Sequence, residues 1–342
     1  MRAAIIGVGF MGWIHYLAYQ RSGVAELVGF CSRDAAKREG DWRGIHGNFG
    51  PPGEMIDVTN LSVYATLDEM LADPKIDIVD VCLPPHLHGE TVSKALAAGK
   101  WVLCEKPLAL TADEAIAVAA QGSGKLLVAQ ILPFFPEYRF LLNAVKQRRF
   151  GKLLGGRFKR VIGPPSWIPD FYDPTRVGGP LIDLHVHDAH LMRMLFGMPT
   201  SVHSSSRIHT GTNATLSNVP QYIESIFHFE DPTIVASAVS GVIDQPSRGF
   251  THGYDVQFEL ANVQFELAAF ADERVAKIPL TIAHADGTVE QPSIESGDAI
   301  DVFVDEIDAA AHAIDHGVIH PALDAYIAAD AIRICEMQIP HA

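Results

Sequence analysis

Cysteine is scarce in this chain of 342 residues, which contains four of them. None belongs to a Cys-x-x-Cys pair, and Cys31, Cys82 and Cys104 lie in apolar, strand-like runs. This pattern argues against a disulfide framework and predicts reduced core thiols, as in a cytoplasmic protein.

Positive charge is scarce as well, with 26 Lys and Arg against 41 Asp and Glu and a net charge of −15. A field of this sign repels phosphate backbones and anionic lipid, so we expect neither a nucleic acid nor a membrane as partner. No apolar run approaches the ~18 residues of a membrane span. The opening MRAAIIGVGF has a short apolar stretch and no small-residue cleavage site, so we expect no export signal.

The length favours two domains, because single cores stop growing near ~250 to 300 residues. Over residues 1–125, apolar strands alternate with helical patterns, which predicts a doubly wound parallel sheet. Over residues 126–342, strands rich in β-branched and aromatic residues follow short turns, which predicts an α+β domain with a large open, mostly antiparallel sheet. The tail predicts two amphipathic helices, the first ending at Gly317.

The segment AIIGVGFMG places Gly7, Gly9 and Gly12 in a Gly-x-Gly-x-x-Gly pattern after the first strand, with Phe10 and Met11 between the last two glycines. In a Rossmann domain the first glycine permits a tight turn, the second admits a pyrophosphate and the third packs helix on strand. We therefore expect these five residues to bind a dinucleotide. The alternative is a glycine-rich turn without a ligand.

The end of the second strand bears on the choice of cofactor. An NAD-binding domain usually has an acidic residue there, but this chain has Ser32 and Arg33, followed by Lys37 and Arg38. A hydroxyl group and a guanidinium suit a 2′-phosphate, so we expect NADP in preference to NAD. A small shift of the loop would bring Asp34 into place and reverse this preference, and Arg33 could be merely solvated.

The ten residues LIDLHVHDAH, at positions 181–190, are dense in side chains that bind metals or move protons. On one continuous helix Asp183, His187 and His190 would share a face, whereas His185 and Asp188 would point elsewhere. Such a segment could form a metal site or the acid/base group of another reaction. We expect the second and expect no metal. His185 and His190 could each be structural.

Four motifs together resemble the Gfo/Idh/MocA oxidoreductase family over nearly the whole chain: GVGFMG, VCLPPHLHGE, AGKWVLCEKPLA and GGPLIDLHVHD. The resemblance implies that Lys106, Asp183 and His187 form the catalytic group. It also implies a cis peptide between Lys106 and Pro107. The residues that it places along the nicotinamide and its ribose are Leu83, Pro84, His88, Glu105 and Lys106.

Two departures lie where substrate would bind. His190 stands where many members have aspartate, and Pro133 where an arginine is expected. The long loop 163–180 supplies Trp167 and Arg176, and with His185 these are the predicted substrate-binding residues; the same loop could instead pack on a core.

These observations predict an NADP- or NAD-dependent dehydrogenase acting on a secondary alcohol of a sugar, sugar acid or cyclitol. The resemblance also implies a homodimer or homotetramer, whose partner subunit covers the open sheet. Other possible activities are a glycosidase that uses tightly held NAD, a non-catalytic NADP-binding sensor and a metal-dependent hydrolase.

Overall fold

The computed structural model describes residues 1–165, 168, 170–208, 219–294 and 297–339. The chain forms two compact units. Unit 1 comprises Met1–Phe134 and Gly297–Ala329, and unit 2 comprises the described residues within Phe135–Ser296 and Asp330–Ala342. This division differs from the expected contiguous boundary at residue 125, because a long helix near the end of the chain packs on the first helix of unit 1.

Unit 1 contains a six-stranded parallel sheet in the order β3-β2-β1-β4-β5-β6. Its strands are β1 Arg2–Ile6, β2 Glu26–Cys31, β3 Ser62–Tyr64, β4 Ile78–Val81, β5 Trp101–Glu105 and β6 Leu126–Ala129. Every residue of β4 and β6 is buried, as expected for strands covered on both faces. The predicted doubly wound Rossmann sheet is confirmed. Its strand order reverses beside β1, where such sheets bind ligands at the carboxyl ends of the strands.

Unit 2 contains an eight-stranded sheet in the order β14-β13-β12-β11-β7-β10-β9-β8. Its strands are β7 Leu153–Ile162, β8 Ser201–Ile208, β9 Pro220–His228, β10 Val235–Val242, β11 Phe250–Phe258, β12 Ala261–Ala269, β13 Val275–His284 and β14 Val289–Glu290. Only β7 and β10 pair in parallel among these described strands. The predicted large, mostly antiparallel sheet is confirmed.

The helices begin and end as follows: α1 Phe10–Arg21, α2 Ala35–Arg38, α3 Leu67–Leu71, α4 His88–Ala97, α5 Ala112–Gln121, α6 Pro136–Lys146, α7 Gly179–Asp183, α8 Val186–Phe196, α9 Ala299–His316 and α10 Ala325–Glu336. Helix α9 is capped by Asp298 at its start and by Gly317 after its last residue, and Gly317 is left-handed with φ of +69°. The two predicted helices of the tail are therefore confirmed. None of the helices in the described ranges has both the length and the apolar character needed to cross a bilayer.

Candidate active site

The glycine turn after β1 has the geometry that its sequence predicts. Gly7 has φ of +99°, and a Cβ there would lie 2.6 Å from the carbonyl oxygen of Cys82. A Cβ on Gly12 would lie 2.2 Å from the carbonyl oxygen of Gly7. At Gly9, by contrast, a Cβ would meet no heavy atom of the described chain within 4 Å beyond its own neighbours. Two glycines are thus required by close packing, and the third faces open space at the start of α1.

A cleft of about 600 Å³ opens at this turn. Its wall includes these residues from the predicted cofactor set: Gly7, Gly9, Ser32, Arg33, Leu83 and Pro84. Phe10 and Met11 form the first turn of α1, and the Phe10 ring packs edge-on against Phe49 with centroids 5.0 Å apart. The cleft lies at the carboxyl ends of β1, β2 and β4, where doubly wound sheets bind dinucleotides.

Charged residues line the cleft beyond the end of β2. The Asp34 carboxylate accepts the backbone N–H groups of Ala36 at 2.9 Å and Lys37 at 3.4 Å, which caps α2. Lys37 donates through Nζ to the carbonyl oxygen of Val8 at 2.6 Å. The exposed Arg33 makes no hydrogen bond or ion pair with any residue that the structure describes. Its guanidinium is thus available to an anion in the cleft, whereas Oδ1 of the Asp34 carboxylate accepts both N–H groups of the cap.

His88, expected to line the nicotinamide, is placed differently by the structure. Its side chain is fully buried, and its two ring nitrogens lie 2.7 Å from the carbonyl oxygen of Leu83 and 2.8 Å from that of Pro107. Burial lowers the pKa of His88, and the two carbonyl oxygens oppose that shift. The imidazole therefore lies between the segment after β4 and the segment after β5, and it can donate to only one of the two carbonyl oxygens while it is neutral.

Glu105 and Lys106 follow one another at the end of β5, but their side chains differ in exposure. Glu105 is 6% exposed, and its Oε2 accepts the backbone N–H of Lys106 at 3.0 Å. Lys106 is partly exposed and is the one residue of the run 102–109 that is not buried. The peptide between Lys106 and Pro107 is cis, as the family resemblance implied.

A buried polar cluster behind the glycine turn was missed by the sequence analysis. In the cluster His15 Nδ1 lies 2.8 Å from Asp80 Oδ2, and His15 Nε2 lies 3.2 Å from Glu105 Oε1. Tyr19 donates to Asp80 Oδ2 at 3.1 Å, and Cys82 donates to Asp80 Oδ1 at 3.5 Å. The sequence feature that could have revealed the cluster is Asp80, because an acidic residue in a strand buried on both faces needs a partner.

The charges within the cluster follow from its burial. Burial alone would lower the pKa of His15, but its interactions with Asp80 and, second, with Cys82 together outweigh burial and hold that pKa well above the usual range. Burial raises the pKa of the Cys82 thiol, so the thiol stays protonated. His15, Asp80 and Cys82 present ligand-type atoms within 4.8 Å of one another. Because the Cys82 thiol is neutral and donates to Asp80, we interpret these three residues as a hydrogen-bonded cluster.

The histidine-rich segment in unit 2 is not one continuous helix, contrary to our expectation. Helix α7 ends at Asp183, and α8 begins at Val186. The N–H of His185 reaches back five residues to the carbonyl oxygen of Pro180 at 3.3 Å, which widens the turn between the helices. The prediction that Asp183, His187 and His190 lie on one helical face, at i, i+4 and i+7, is therefore wrong.

Exposure nevertheless separates two residues of this segment from the others. Asp183 and His187 are partly exposed, and every other residue from 179 to 192 is buried. Asp188 forms a buried two-point ion pair with Arg160 of β7, with Nε–Oδ2 and Nη2–Oδ1 distances of 2.7 and 3.1 Å. Asp188 is thereby committed to the core of unit 2, whereas Asp183 and His187 can meet a ligand.

His185 and His190 are both buried, at 1% and 0% exposure. Within the described part of the chain, neither ring nitrogen of either residue has a hydrogen-bond partner. Burial lowers the pKa of His185 to about 4 and that of His190 to about 3, so both are neutral near pH 7. The prediction that His185 contacts substrate is not supported, because its side chain presents almost no surface.

The long loop before α7 packs on the sheet of unit 2. Phe171 is 2% exposed and lies in an apolar cluster with Ile162 of β7, Leu184 and Val242 of β10. Arg176, predicted to bind substrate, is exposed and forms an ion pair with Asp170 at 2.9 Å. Trp167, the third predicted substrate residue, lies outside the described residues. The alternative of a loop packed on a core is therefore confirmed for Phe171.

Comparison with known proteins gives a consistent result for both parts of the chain. Residues 1–129 match the model of an oxidoreductase family with an NAD-binding Rossmann fold, GFO_IDH_MocA, and residues 138–261 match the GFO/IDH/MocA C-terminal domain. The inositol 2-dehydrogenase of Rhizobium meliloti (strain 1021) is 26% identical over 298 residues, which cover 85% of this chain and 81% of that protein.

Two further relatives act on carbohydrates by name. The D-glucoside 3-dehydrogenase of Escherichia coli (strain K12) is 28% identical over 244 residues, 68% of this chain but 64% of that protein. A levoglucosan dehydrogenase solved with NADH and levoglucosan has a TM-score of 0.76 at 20% identity, covering 99% of this chain and 96% of that one. At that identity the likeness shows the fold alone.

Proposed function

The chain belongs to the Gfo/Idh/MocA oxidoreductase family, and from this premise we propose that it transfers a hydride between a nicotinamide cofactor and a secondary alcohol or ketone of a sugar, sugar acid or cyclitol. The observation that carries the proposal is a pattern of exposure. Lys106, Asp183 and His187 are each partly exposed within runs that are otherwise buried. Ionisable side chains in this setting are candidates for a functional site.

The cofactor would be held in the cleft of unit 1. Its pyrophosphate fits the open space at Gly9 and the N-terminus of α1. We propose NADP in preference to NAD, because Arg33 is a cation in the cleft without a partner among the described residues. The Asp34 carboxylate, which would favour an unmodified ribose, already accepts two backbone N–H groups.

Titration of the protein with NADPH and NADH, followed by fluorescence, tests both parts of this proposal. We expect tighter binding of NADPH in the wild type. Arg33→Ala should weaken NADPH by roughly 10- to 100-fold, as for the loss of a charge-assisted hydrogen bond, and leave NADH nearly unchanged. Arg43→Ala is the matched control, because Arg43 is exposed and pairs with Asp41 outside the cleft wall.

The possible outcomes separate the cofactor from the reaction. Tighter binding of NADH would contradict the preference for NADP and leave the dehydrogenase proposal standing. Binding of neither nucleotide would contradict the proposed function. Turnover with a panel of sugars, sugar acids and cyclitols then identifies the substrate.

The nicotinamide, when bound, supplies the hydride acceptor in oxidation and the donor in reduction. In the proposed mechanism His187 accepts the hydroxyl proton during oxidation and returns it during reduction, since an imidazole can carry a proton near neutral pH. The Asp183 carboxylate orients the imidazole or the substrate hydroxyl. The Lys106 ammonium donates a charge-assisted hydrogen bond to the reacting oxygen and stabilises its negative charge in the transition state. Arg176 and His185 have no part in this mechanism.

We further propose a homodimer or homotetramer formed through the open face of the unit 2 sheet. Along β9 the residues alternate, and on the outer side Ile226 is 52% exposed. Light scattering on the purified protein tests this, and a mass of one 37.2 kDa chain would contradict it.

All four cysteines are free and buried, which supports the proposal of a reducing, cytoplasmic setting.

A further inference from the structure

His15 is fully buried, yet both of its ring nitrogens contact carboxyl oxygens from two different strands. One contact is to Asp80 in the middle of the sheet, and the other is to Glu105 at the end of β5. Glu105 in turn accepts the backbone N–H of Lys106. A continuous chain of hydrogen bonds therefore runs from α1, through a strand end, to the peptide that carries Lys106.

The surroundings of His15 leave it little freedom. It lies three residues after Gly12, whose backbone is pressed against Gly7, so the position of α1 is fixed by the glycine turn itself. From α9 the Phe303 ring packs on the imidazole, with centroids 5.8 Å apart. An imidazole held in this way can hold a neighbouring carboxylate in one place, because both partners have lost their alternative positions.

We propose that His15 is a positioning residue for Lys106, acting through the Glu105 carboxylate that it bridges to Asp80. The inference rests on the proposed function in one respect, namely that Lys106 meets the reacting oxygen. Without His15 the Glu105 carboxylate would lose its fixed partner, and the Lys106 peptide would lose a well-placed acceptor.

The titratable groups around His15 are consistent with its being the cation of the cluster. They are Tyr19 on α1, Asp80 on β4, Cys82 directly after β4, Glu105 on β5 and Glu306 on α9. Burial, and then the Glu105 carboxylate, raises the pKa of Glu306 well above its usual range, so Glu306 is neutral. Neither carboxyl oxygen of Glu306 has a hydrogen-bond partner within the described ranges. The carboxyl groups that contact the His15 imidazole are therefore those of Asp80 and Glu105.

Hydrogen exchange at the Lys106 amide tests the structural half of the inference without any substrate. A peptide covering residues 103–108 reports this amide together with those of Glu105 and Leu108, because its first two residues lose their label and Pro107 has no amide. His15→Gln removes the charge and keeps an N–H donor. We expect the Lys106 amide to exchange about tenfold faster or more in this variant. Tyr19→Phe is the matched control, because it removes a hydrogen bond to Asp80 but leaves both contacts of His15, and it should leave the exchange within about twofold of the wild type.

Kinetics test the functional half. We expect His15→Gln to lower kcat by about tenfold or more, with the Kd for NADPH changed less than about threefold. If His15 acts through Glu105, the double variant His15→Gln/Glu105→Gln should be no slower than the worse single variant. If His15→Gln fails to fold, Asp80→Asn provides the second test, because it removes the carboxylate that anchors His15, and the same changes are expected.

Each outcome decides the inference. A folded His15→Gln or Asp80→Asn protein with unchanged Lys106 exchange overturns it, and so does an additive double variant. A wild type that binds no nicotinamide nucleotide contradicts the proposed function instead, while the exchange measurement still reports on the link from His15 to Lys106.

Discussion

Substituting alanine at two neighbouring glycines should have opposite consequences. Gly9→Ala places a methyl group in the open space at the start of α1, where no described atom beyond its neighbours lies within 4 Å. Gly7→Ala places one 2.6 Å from a backbone oxygen, at φ of +99°. We predict that Gly9→Ala loses cofactor binding and keeps the fold, whereas Gly7→Ala loses stability.

The magnitudes follow from these surroundings. At Gly9, with φ of −106°, alanine fits the backbone. A weaker N-cap lowers the free energy of unfolding by about 0.5 to 1 kcal/mol, and the reduced conformational freedom of the unfolded chain raises it by about 0.4 to 1 kcal/mol. The free energy of unfolding should therefore change by less than about 1 kcal/mol. At Gly7 strain costs about 1 to 3 kcal/mol, and the steric clash adds a comparable cost.

Thermal unfolding and NADPH titration separate the two effects. Gly7→Ala should lower Tm by at least about 4 °C, from roughly 2 to 4 °C per kcal/mol for a unit of this size. Gly9→Ala should leave Tm nearly unchanged and weaken NADPH by at least about tenfold, which is 1.4 kcal/mol. Unchanged affinity in Gly9→Ala would show that no phosphate approaches this backbone and would refute the proposed placement of the cofactor.

Two further predictions concern unit 2. Asp183→Asn should lower turnover by roughly 100-fold or more at nearly unchanged stability, whereas Asp188→Asn should lower the free energy of unfolding by about 3 to 5 kcal/mol, because it leaves Arg160 buried without its partner. Steady-state kinetics and urea unfolding on both variants check this, and equal stability of the two would contradict it. The pKa of His190 is about 3 in the folded protein, against ~6.5 when unfolded. The contribution of this histidine to the free energy of unfolding is therefore fully present above pH 6.5 and is lost as the pH falls toward 3. Between pH 7.5 and 5 this histidine accounts for about 2 kcal/mol, so His190→Leu should reduce the measured loss of stability over that interval by this amount; an unchanged loss would refute a buried neutral His190.

The elements and the sheet types could be predicted from the sequence because their signals are local. The strand β4 is a continuous apolar run broken only by Asp80, and the glycine turn has a fixed spacing. The boundary of unit 1 could not be predicted in this way. Residues 297–329 join unit 1 through contacts such as Arg21 with Asp298 at 2.7 Å, which connect positions far apart in sequence.

The site could be predicted in part, and the omissions share one cause. The family resemblance implied Lys106, Asp183 and His187, but neither it nor the residue spacing gave a reason to single out His15. His15 lies on α1, whose sequence indicates only a helix that packs on the sheet, and its partners belong to β4 and β5. Spacing also failed at the turn after Asp183, where a backbone bond spanning five residues breaks the helical period.

Burial accounts for the different roles of otherwise similar residues in LIDLHVHDAH. Its two aspartates and three histidines are of the same chemical types, so composition alone treats them alike. An aspartate that must stay charged inside the core needs a cation, and Asp188 has Arg160. A buried histidine without a carboxyl partner stays neutral, as His190 does, and cannot exchange a proton with a substrate. Asp183 and His187 are the partly exposed residues of this segment, which is why we propose the chemistry for them and not for the segment as a whole.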